Sequence, residues 1–515
     1  MRLHYPLIAA SLLLAAVPAH AMVSPDEAKS IESQLQSWYA TTFDKLAKPG
    51  VRAVQVEPAG DRYKISIPLG LKGTGDARLA ATMLANPADG GRWVFDTLRL
   101  PQPFEYSTTV TPQKTAGQKE TPGPVTILSK ITVISQDGSG VWDPTFATPS
   151  MFKQMVSGVV STSITTADTP ADRVTQRNTI ESSVTETTLT PNGRDRVNIV
   201  STGTLTGYDL QTGTEDGPVL DVKAKAVAVT VSLTAMSRDR GLEMVRAMSD
   251  LLSAGIPTMN MSAAEGVAAP PADTRLSPAA YAALRRIVIA LPDMGTSAVA
   301  DESATDLSVN ANGKSFSAAK VSFGLTMKST AGALQAAMGM AADGMTWPDF
   351  GMGDVEQLLP KHFILRPTVS GISGQDLADL LLASVDAAQK GKPGTDDAAL
   401  KNRVLNHGAT IGIDALEFDT AGTTVSATGT IAFQGGSGGT PRAQSGSAHI
   451  VAHDLDKLTA VIAAQPMLAQ GMPAIVFLKG LAKQAEGGMV WDVTFDGAKL
   501  AVNSTDITAM MGGSR

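Results

Sequence analysis

The chain has 515 residues, of which 43% are hydrophobic, and a formal net charge of −7. This length exceeds the usual size of one hydrophobic core, so we expect two domains or an elongated repeat. The mild acidity argues against sequence-independent binding of nucleic acid, which needs clustered Lys and Arg. Because the chain has no cysteine, disulfides, thiolate catalysis and Cys-ligated zinc are excluded.

The first 21 residues have the pattern of a secretory signal peptide. Arg2 and His4 provide a basic start, residues 7–17 are apolar and uncharged, and Ala19-His20-Ala21 forms an A-x-A cleavage site. The apolar run is shorter than the roughly 20 residues that span a bilayer, and no cysteine follows for lipid attachment. Cleavage after Ala21 therefore predicts an exported, periplasmic protein, with an N-terminal anchor as the alternative.

The segment after the cleavage site predicts one helix and then strands. Ser24-Pro25-Asp26-Glu27 combines an N-cap, a first-turn proline and the Glu of a capping box. A stripe at helical spacing follows, and Pro49-Gly50 ends it. The stripe consists of Ile31, Leu35, Trp38, Thr42 and Leu46. Segments 51–56, 63–69, 92–100 and 125–133 alternate in hydrophobicity, as half-buried strands do.

Three later stretches share the order strand, turn, strand and helix. The first has strands at 183–189, 197–206 and 219–236, a turn at residues 191–193 and a helix opened by Ser237. The second has strands at 306–310 and 319–327, a turn at Asn312-Gly313 and an Ala-rich helix at 330–342. The third has strands at 410–419, 425–433 and 448–453, a turn at Ala421-Gly422 and a helix from Leu455. A truncated copy, 489–502, closes the chain around Asp496-Gly497, and such dipeptides between alternating runs predict hairpins.

These patterns predict an α+β, β-rich fold. We expect long antiparallel curved sheets built from strand-turn-strand-helix repeats, with the helices packed on one face. Residues 262–274 have the composition of a linker, and Ser277-Pro278 predicts the start of a helix directly after it. The predicted organisation is a signal peptide (1–21), an N-terminal β-rich domain (22–265), a linker (266–274) and a C-terminal β-rich domain with repeated sheet-helix units (275–515). A surface loop inside one continuous sheet is the alternative to the linker.

The sequence contains matches to catalytic motifs, but each match lacks the structural context that its motif requires. Ser437 matches G-x-S-x-G, but it lies in a Gly/Ser tract between strands and lacks the sharp strand-to-helix turn of that motif. The S-x-x-K pattern occurs at residues 150–153 and 317–320, without a following K-T-G. The histidines after the signal peptide are His362, His407, His449 and His453. We therefore predict a protein that is not an enzyme, with no catalytic residues.

Two groups of residues have the elements of a metal site. His449 and His453 are four residues apart, which suits a metal on a helix, but their surroundings predict a strand with solvent-facing histidines. Four methionines near Trp347 could hold Cu(I), although methionine more often fills apolar gaps. These are Met338, Met340, Met345 and Met352. The sequence predicts no metal and no cofactor.

Residues 458–478 form an uncharged run of 21 residues, which is long enough to span a bilayer. Pro466 and Pro473 interrupt the run, and Gln465 and Gln470 add polar groups. We therefore expect two helices that pack on the sheet, and no stable membrane span.

The sequence resembles a known family at three places: WDVTFDGAKLAVN at 491–503, HGATIGID at 407–414 and TVSATGTI at 424–431. These strand–turn–strand stretches are similar to those of the periplasmic family called domain of unknown function 2125 and, more distantly, of AsmA-like envelope proteins. The resemblance implies a β-rich periplasmic protein with a curved sheet and an apolar groove, and it supplies no catalytic residues. AsmA-like proteins usually have a membrane anchor, whereas this chain is predicted to be cleaved free, which weakens the transfer of a lipid-bridging role.

The function expected from the sequence is therefore a non-enzymatic one in envelope maintenance, in which the protein holds a lipid or other apolar ligand. The alternative is a scaffold whose exposed sheet edges recruit an envelope protein by strand addition. A polar cleft with carboxylates around His362 or His407 would instead indicate an enzyme.

Overall fold

The computed structural model describes residues 23–42, 54–72, 78–110, 125–146, 148–166, 173–214, 217–253, 277–293, 295–330, 332–348, 353–390, 398–405, 408–435, 441–465, 468–485 and 487–511. The predicted signal peptide and the predicted linker 266–274 lie outside these residues.

The protein is β-rich, and the described residues form 22 strands in one long antiparallel open sheet. The strands of the first half are β1 (Gln55–Ala59), β2 (Arg62–Lys72), β3 (Arg78–Pro87), β4 (Trp93–Arg99), β5 (Phe104–Val110), β6 (Val125–Thr132), β7 (Ser135–Asp143), β8 (Thr148–Thr166), β9 (Val174–Pro191), β10 (Arg196–Thr214) and β11 (Gly217–Ser237). Those of the second half are β12 (Ser297–Ala311), β13 (Lys314–Thr330), β14 (Ala333–Asp343), β15 (His362–Ser373), β16 (Thr410–Thr420), β17 (Thr423–Gly435), β18 (Pro441–His453), β19 (Lys483–Ala485), β20 (Gly488–Phe495), β21 (Leu500–Val502) and β22 (Thr505–Asp506).

The chain runs back and forth through this sheet as a meander. From β7 to β18 each strand pairs with the next one in sequence. At the N-terminal end β1, β2, β3 and β4 pair in order and β4 joins β7, while β5 pairs with β6 and β6 joins the second half of β8. At the C-terminal end β18 pairs with β20, which also pairs with β19 and β21, and β21 pairs with β22.

Pairs of helices are inserted between strands at three places, the first of them after β11. The helices are α1 (Pro25–Thr42), α2 (Arg238–Ser253), α3 (Pro278–Ala290), α4 (Gly374–Gln389), α5 (Ala398–Leu405), α6 (Leu455–Ala464), α7 (Met472–Leu481) and α8 (Thr508–Met511). The pairs α2–α3 and α4–α5 follow strands β11 and β15, and α6–α7 follows β18. The predicted helices after Ser237, after Ser277 and from Leu455 are thus confirmed, and the Ser277 hydroxyl accepts a hydrogen bond from the Ala280 N–H.

Helix α1 packs on the N-terminal strands, and its start is tied to them by a tyrosine. As predicted, Ser24 Oγ accepts a hydrogen bond from the Glu27 N–H (3.2 Å). The second bond of the capping box runs through Tyr63: its hydroxyl accepts from the Ser24 N–H (2.9 Å) and donates to Glu27 Oε2 (2.8 Å). Since Tyr63 is fully buried on β2, this helix end is fixed to the sheet.

Two tight turns confirm the hairpins predicted from dipeptides. Asn312 and Gly313 have φ of 52° and 76°, and Ala421 and Gly422 have φ of 51° and 71°. Positive φ at both central residues is the geometry that matches the twist of paired strands.

The Ala-rich segment 330–342 is not the predicted helix. Thr330 is the last residue of β13, and from Ala333 onward the segment is strand β14, which pairs with β13 and β15 on its two sides. Alanine favours a helix in isolation, but Leu334, Met338 and Met340 alternate with small residues and suit a strand between two others. The second predicted repeat therefore has no helix at this position, and the order strand-turn-strand-helix does not recur unchanged.

The sheet continues across the predicted linker. Strand β11 precedes it and β12 follows it, and the two are paired from Leu220↔Ala311 to Thr234↔Ser297. This pairing agrees with the alternative of one continuous sheet. The division into two domains stays a prediction about folding units.

A row of left-handed residues crosses the sheet between β8 and β12. Gly158, Gly207 and Asp306 have φ of 58°, 59° and 48°. The strand registers place Glu181 between the two glycines and Lys225 between Gly207 and Asp306. The side chain of Glu181 lies where a Cβ on Gly207 would be, 2.2 Å from Glu181 Cγ. These glycines are therefore required both by φ and by close approach.

Candidate apolar binding face

Two rows of side chains cross the sheet on the same side from β11 to β20. The first row is Val229, Glu302, Phe323, Met340, Leu365, Leu416, Ala427, Ile450 and Trp491. The second row is Val227, Ala304, Val321, Ala342, Phe363, Phe418, Val425, Ala452 and Met489. Paired residues of antiparallel strands project to the same face. Together with Leu325, Ile411, Ile413 and Ile431 on the same side, these rows are named the open apolar face.

The opposite side of the same strands is mostly polar. One row there consists of Thr305, Lys320, Asp343, His362, Asp419, Thr424 and His453. Of the 18 residues in the two rows of the open apolar face, only Glu302 is charged. This separation is the pattern of a sheet with one apolar and one solvated surface.

The open apolar face is exposed in its centre. Ile411 is 49% exposed, Ile431 44% and Phe323 42%. Nine paired strands at about 4.8 Å per spacing extend over about 38 Å. A soluble protein rarely exposes a contiguous apolar area on this scale, and such areas mark binding sites.

Helices approach this face near the strand ends. Leu233, Ala298 and Met327 lie on the same side of the sheet, beyond the two rows, and share a cavity of about 70 Å³ with Leu291, which follows α3, and Leu377 of α4. At the C-terminal end, Ala452 and Trp491 are buried in a cluster with Leu455 of α6 and Leu481 of α7. The centre of the face is thus bordered by helices at these two places.

Ion pairs join neighbouring helices to one another. Arg285 of α3 is paired with Asp386 of α4, and Tyr281 Oη donates a hydrogen bond to the same carboxylate (2.6 Å). Arg285, and then Tyr281, hold the pKa of Asp386 below its usual range. Arg403 of α5 contacts Asp376 (2.9 Å) and Asp379 of α4 (2.8 Å).

The three histidines that the structure describes lie on the polar side, and each has its own partner. His362 Nδ1 is 2.5 Å from Asp343 Oδ1, and His449 Nδ1 is 2.8 Å from Asp492 Oδ1. His453 Nδ1 is 2.6 Å from the carbonyl oxygen of Gly487. The hydrogen bond with His449 is the main cause that lowers the pKa of Asp492.

His449 and His453 do lie on a strand, β18, as the sequence indicates. Within the described part of the chain no group of three or more metal-ligating side chains comes together. His407 and Ser437 lie outside the described residues.

The S-x-x-K matches fall on strands. Ser150 and Lys153 lie on β8, and Ser317 and Lys320 lie on β13. Residues three apart on a strand point to opposite faces. Neither lysine can therefore activate its serine in the way this motif requires, because both side chains would have to face one cleft.

Two of the four methionines near Trp347 lie side by side on one strand. Met338 and Met340 lie on the same side of β14 and pair with Leu325 and Phe323. Met345 is buried beyond the end of that strand, and Met352 lies outside the described residues. Met338 and Met340 thus belong to the open apolar face.

The uncharged run 458–478 forms parts of two short helices, α6 and α7, as expected. Among the described helices, none is long and apolar enough to cross a membrane. Helix α7 carries three strongly exposed apolar residues, Val476 (60%), Phe477 (46%) and Leu478 (51%).

No protein-family model, characterised protein or solved structure matches this chain. The similarity to domain of unknown function 2125 and to AsmA-like proteins therefore stays a prediction.

Proposed function

We propose that the protein is an exported, non-enzymatic periplasmic protein that holds lipid acyl chains on the open apolar face. The observation that carries this proposal is the pair of apolar rows, exposed at the centre and backed by a polar surface. Hydrocarbon chains gain free energy in proportion to the apolar area they bury, about 25 cal/mol per Å². They also need no hydrogen-bond partner, which this face would not supply.

The dimensions support a lipid ligand. One leaflet of a bilayer has a hydrocarbon layer of about 15 Å, half of the full core. Acyl chains of that length fit within the roughly 38 Å of the nine strands. We further propose that the helices lie on this one face of a curved sheet, so that α3, α4, α6 and α7 border the lipid.

The test compares two substitutions on neighbouring residues of β13. Leu325→Asp places a carboxylate on the open apolar face, while Thr326→Asp places the same charge on the polar side. Protein purified from its own envelope is examined by native mass spectrometry. We expect lipid on the wild type and on Thr326→Asp, and none on Leu325→Asp, with unchanged circular dichroism. Lipid-free wild type, with no gain of thermal stability on adding phospholipid, would refute the proposal.

Export has a separate test. Cell fractionation should recover the protein in the periplasm, with an N-terminus at Met22. Firm membrane association of the full-length chain would contradict this, and the exposed residues of α7 would be the first to examine.

Strand addition at the sheet edges is the second proposal. Among the described strands, those with a single partner are short: β1 has five residues including Pro58, β5 has seven, β19 has three and β22 has two. Short edges and proline are devices that limit strand addition, so we place this function behind lipid binding. Cross-linking in cells that recovers a reproducible partner at β1 would reverse the order.

A further inference from the structure

A second apolar site lies apart from the open apolar face, beneath helix α1. A cavity of about 350 Å³ separates part of α1 from strands β2, β3, β4, β7 and β8. Its walls include Leu35, Trp38, Trp93, Phe95, Trp142 and Phe152. We name it the α1 cavity.

Aromatic rings give the α1 cavity a rigid wall. Trp93 and Trp142 stack with ring centroids 5.2 Å apart, and Trp38 meets Trp142 edge-on at 5.8 Å. Phe95 and Phe152 are 6.4 Å apart. Interlocked rings hold one another in place, so the space between them does not close by small side-chain shifts.

The wall offers almost no polar group to a ligand. The indole nitrogens of Trp93 and Trp142 are buried, away from the cavity surface, and have no hydrogen-bond partner within the described residues. Burial also raises the pKa of Tyr39, another wall residue. A ligand that fits must therefore be hydrocarbon where it touches the protein.

The volume decides what kind of hydrocarbon fits. Native cores contain few voids larger than a water molecule, and apolar cavities of about 150 Å³ stay dry and bind benzene. A cavity of about 350 Å³ lies in the range of ligand pockets, about 300–1,000 Å³. It is too large for one small ring and suits a flexible chain of several methylenes.

The α1 cavity is separated from the open apolar face by polar strands. Phe152 of β8 shares a row with Thr187, Ser201 and Val231, so both sites lie on one side of the sheet. The hydroxyls of Thr187 and Ser201 are hydrogen-bonded to each other (2.9 Å) between them. The two sites can therefore be altered independently.

We propose that the α1 cavity is a binding site for a single fatty acyl chain. The chain inserts its methyl end between α1 and the strands, with its polar end outside. This proposal does not depend on the function proposed for the open apolar face.

The test uses tryptophan fluorescence of the full mature chain. Three of the five tryptophans line the α1 cavity, and bromine quenches an indole that it touches. ω-Bromododecanoic acid should therefore quench the emission, and shorter ω-bromo acids should bind about fourfold more weakly for each methylene removed. Bromobenzene that binds as tightly as the long acid would overturn the assignment to an acyl chain.

Ala81→Phe fills the cavity from its buried wall. It should lower the affinity for the bromo acid, measured by quenching, by about tenfold or more, which is the loss expected when two methylenes no longer fit. If that variant does not fold, Leu98→Asp provides a second one, with a carboxylate at the half-buried wall. Leu325→Asp on the open apolar face is the matched control and should keep most of the quenching, because three tryptophans line the α1 cavity and Trp491 alone belongs to the two rows of that face. Absent quenching in the wild type, or equal quenching in a folded Ala81→Phe, would refute the proposal, whatever lipid the open apolar face retains.

Discussion

The strands under α1 and the strands from β11 to β18 have the same alternating sequence pattern but different surroundings. Under α1, Tyr63 and Ile65 are fully buried and Trp93 is 2% exposed, whereas Ile411 and Phe323 in the centre of the sheet are 49% and 42% exposed. The alternation of apolar and polar residues along a strand decides which side of the sheet is apolar. Whether that side becomes a core or an exposed surface depends on whether a helix covers it.

The largest expected difference between the two regions is in how much stability is lost when a large apolar side chain is truncated. Ile65→Ala should lower the free energy of unfolding by about 2–5 kcal/mol, since it leaves a cavity in a packed core. Phe323→Ala, on the open apolar face, should change it by less than about 0.5 kcal/mol. Urea unfolding followed by near-UV circular dichroism measures both. Equal losses would show that the central face is covered in solution.

A glycine substitution tests the row of left-handed residues between β8 and β12. Gly207→Ala should cost about 1–3 kcal/mol, because alanine is strained at a φ of 59° and its Cβ meets Glu181. Gly203→Ala on the same strand is the control, since the nearest atom to its Cβ is 3.9 Å away. Thermal melting distinguishes the two, and matching melting temperatures would contradict the left-handed geometry.

Tyr63→Phe tests the hydrogen bonds that fix α1 to the covered strands. Loss of the bonds to Ser24 and Glu27 should cost about 1–2 kcal/mol, while Tyr208→Phe beside Gly207 should be neutral. Burial is the largest cause that raises the pKa of Tyr63. The unfolded chain ionises this tyrosine near pH 10 and the folded protein does so only at higher pH. Above about pH 10 the wild type should therefore lose stability more steeply than Tyr63→Phe, and parallel pH curves would argue against a buried hydroxyl.

The smallest effect is expected at the ion pair between α3 and α4. Asp386→Asn should cost about 0.2–1 kcal/mol at neutral pH, because both partners are 35% exposed and water screens them. The pKa of Asp386 is lowered in the fold, so its contribution is present above about pH 4 and is lost as the pH falls further. Asp306→Asn, in an exposed pair 3.6 Å from Lys225, should have no measurable effect. A cost that persists at pH 2 would exclude the ionic explanation.

Local sequence signals were sufficient for turns and helix starts. Asn312-Gly313 and Ala421-Gly422 encode tight hairpins because both residues of each turn adopt positive φ. Ser277-Pro278 likewise encodes a helix start through its own side chain and ring. These signals act within four residues, so no distant contact is needed to read them.

Segment 330–342 shows where local signals fail. Its alanines favour a helix, but pairing with β13 and β15 makes it a strand. The same error hid the candidate site, because Met338 and Met340 join the open apolar face only as members of a strand. The sequence did contain one signal for this site, the alternation of apolar residues at Phe323 and Leu325. That pattern could not indicate how many neighbouring strands would place apolar residues beside them.

The sequence by itself determined the alternating strands, the turns between them and most helix positions, because these depend on propensity and on contacts between near neighbours. The tertiary structure alone decided the strand registers, which align apolar residues of nine strands into rows, and the position of α1 over one end of the sheet. Both depend on contacts between residues far apart in the chain. For that reason the open apolar face and the α1 cavity became visible only in the folded protein.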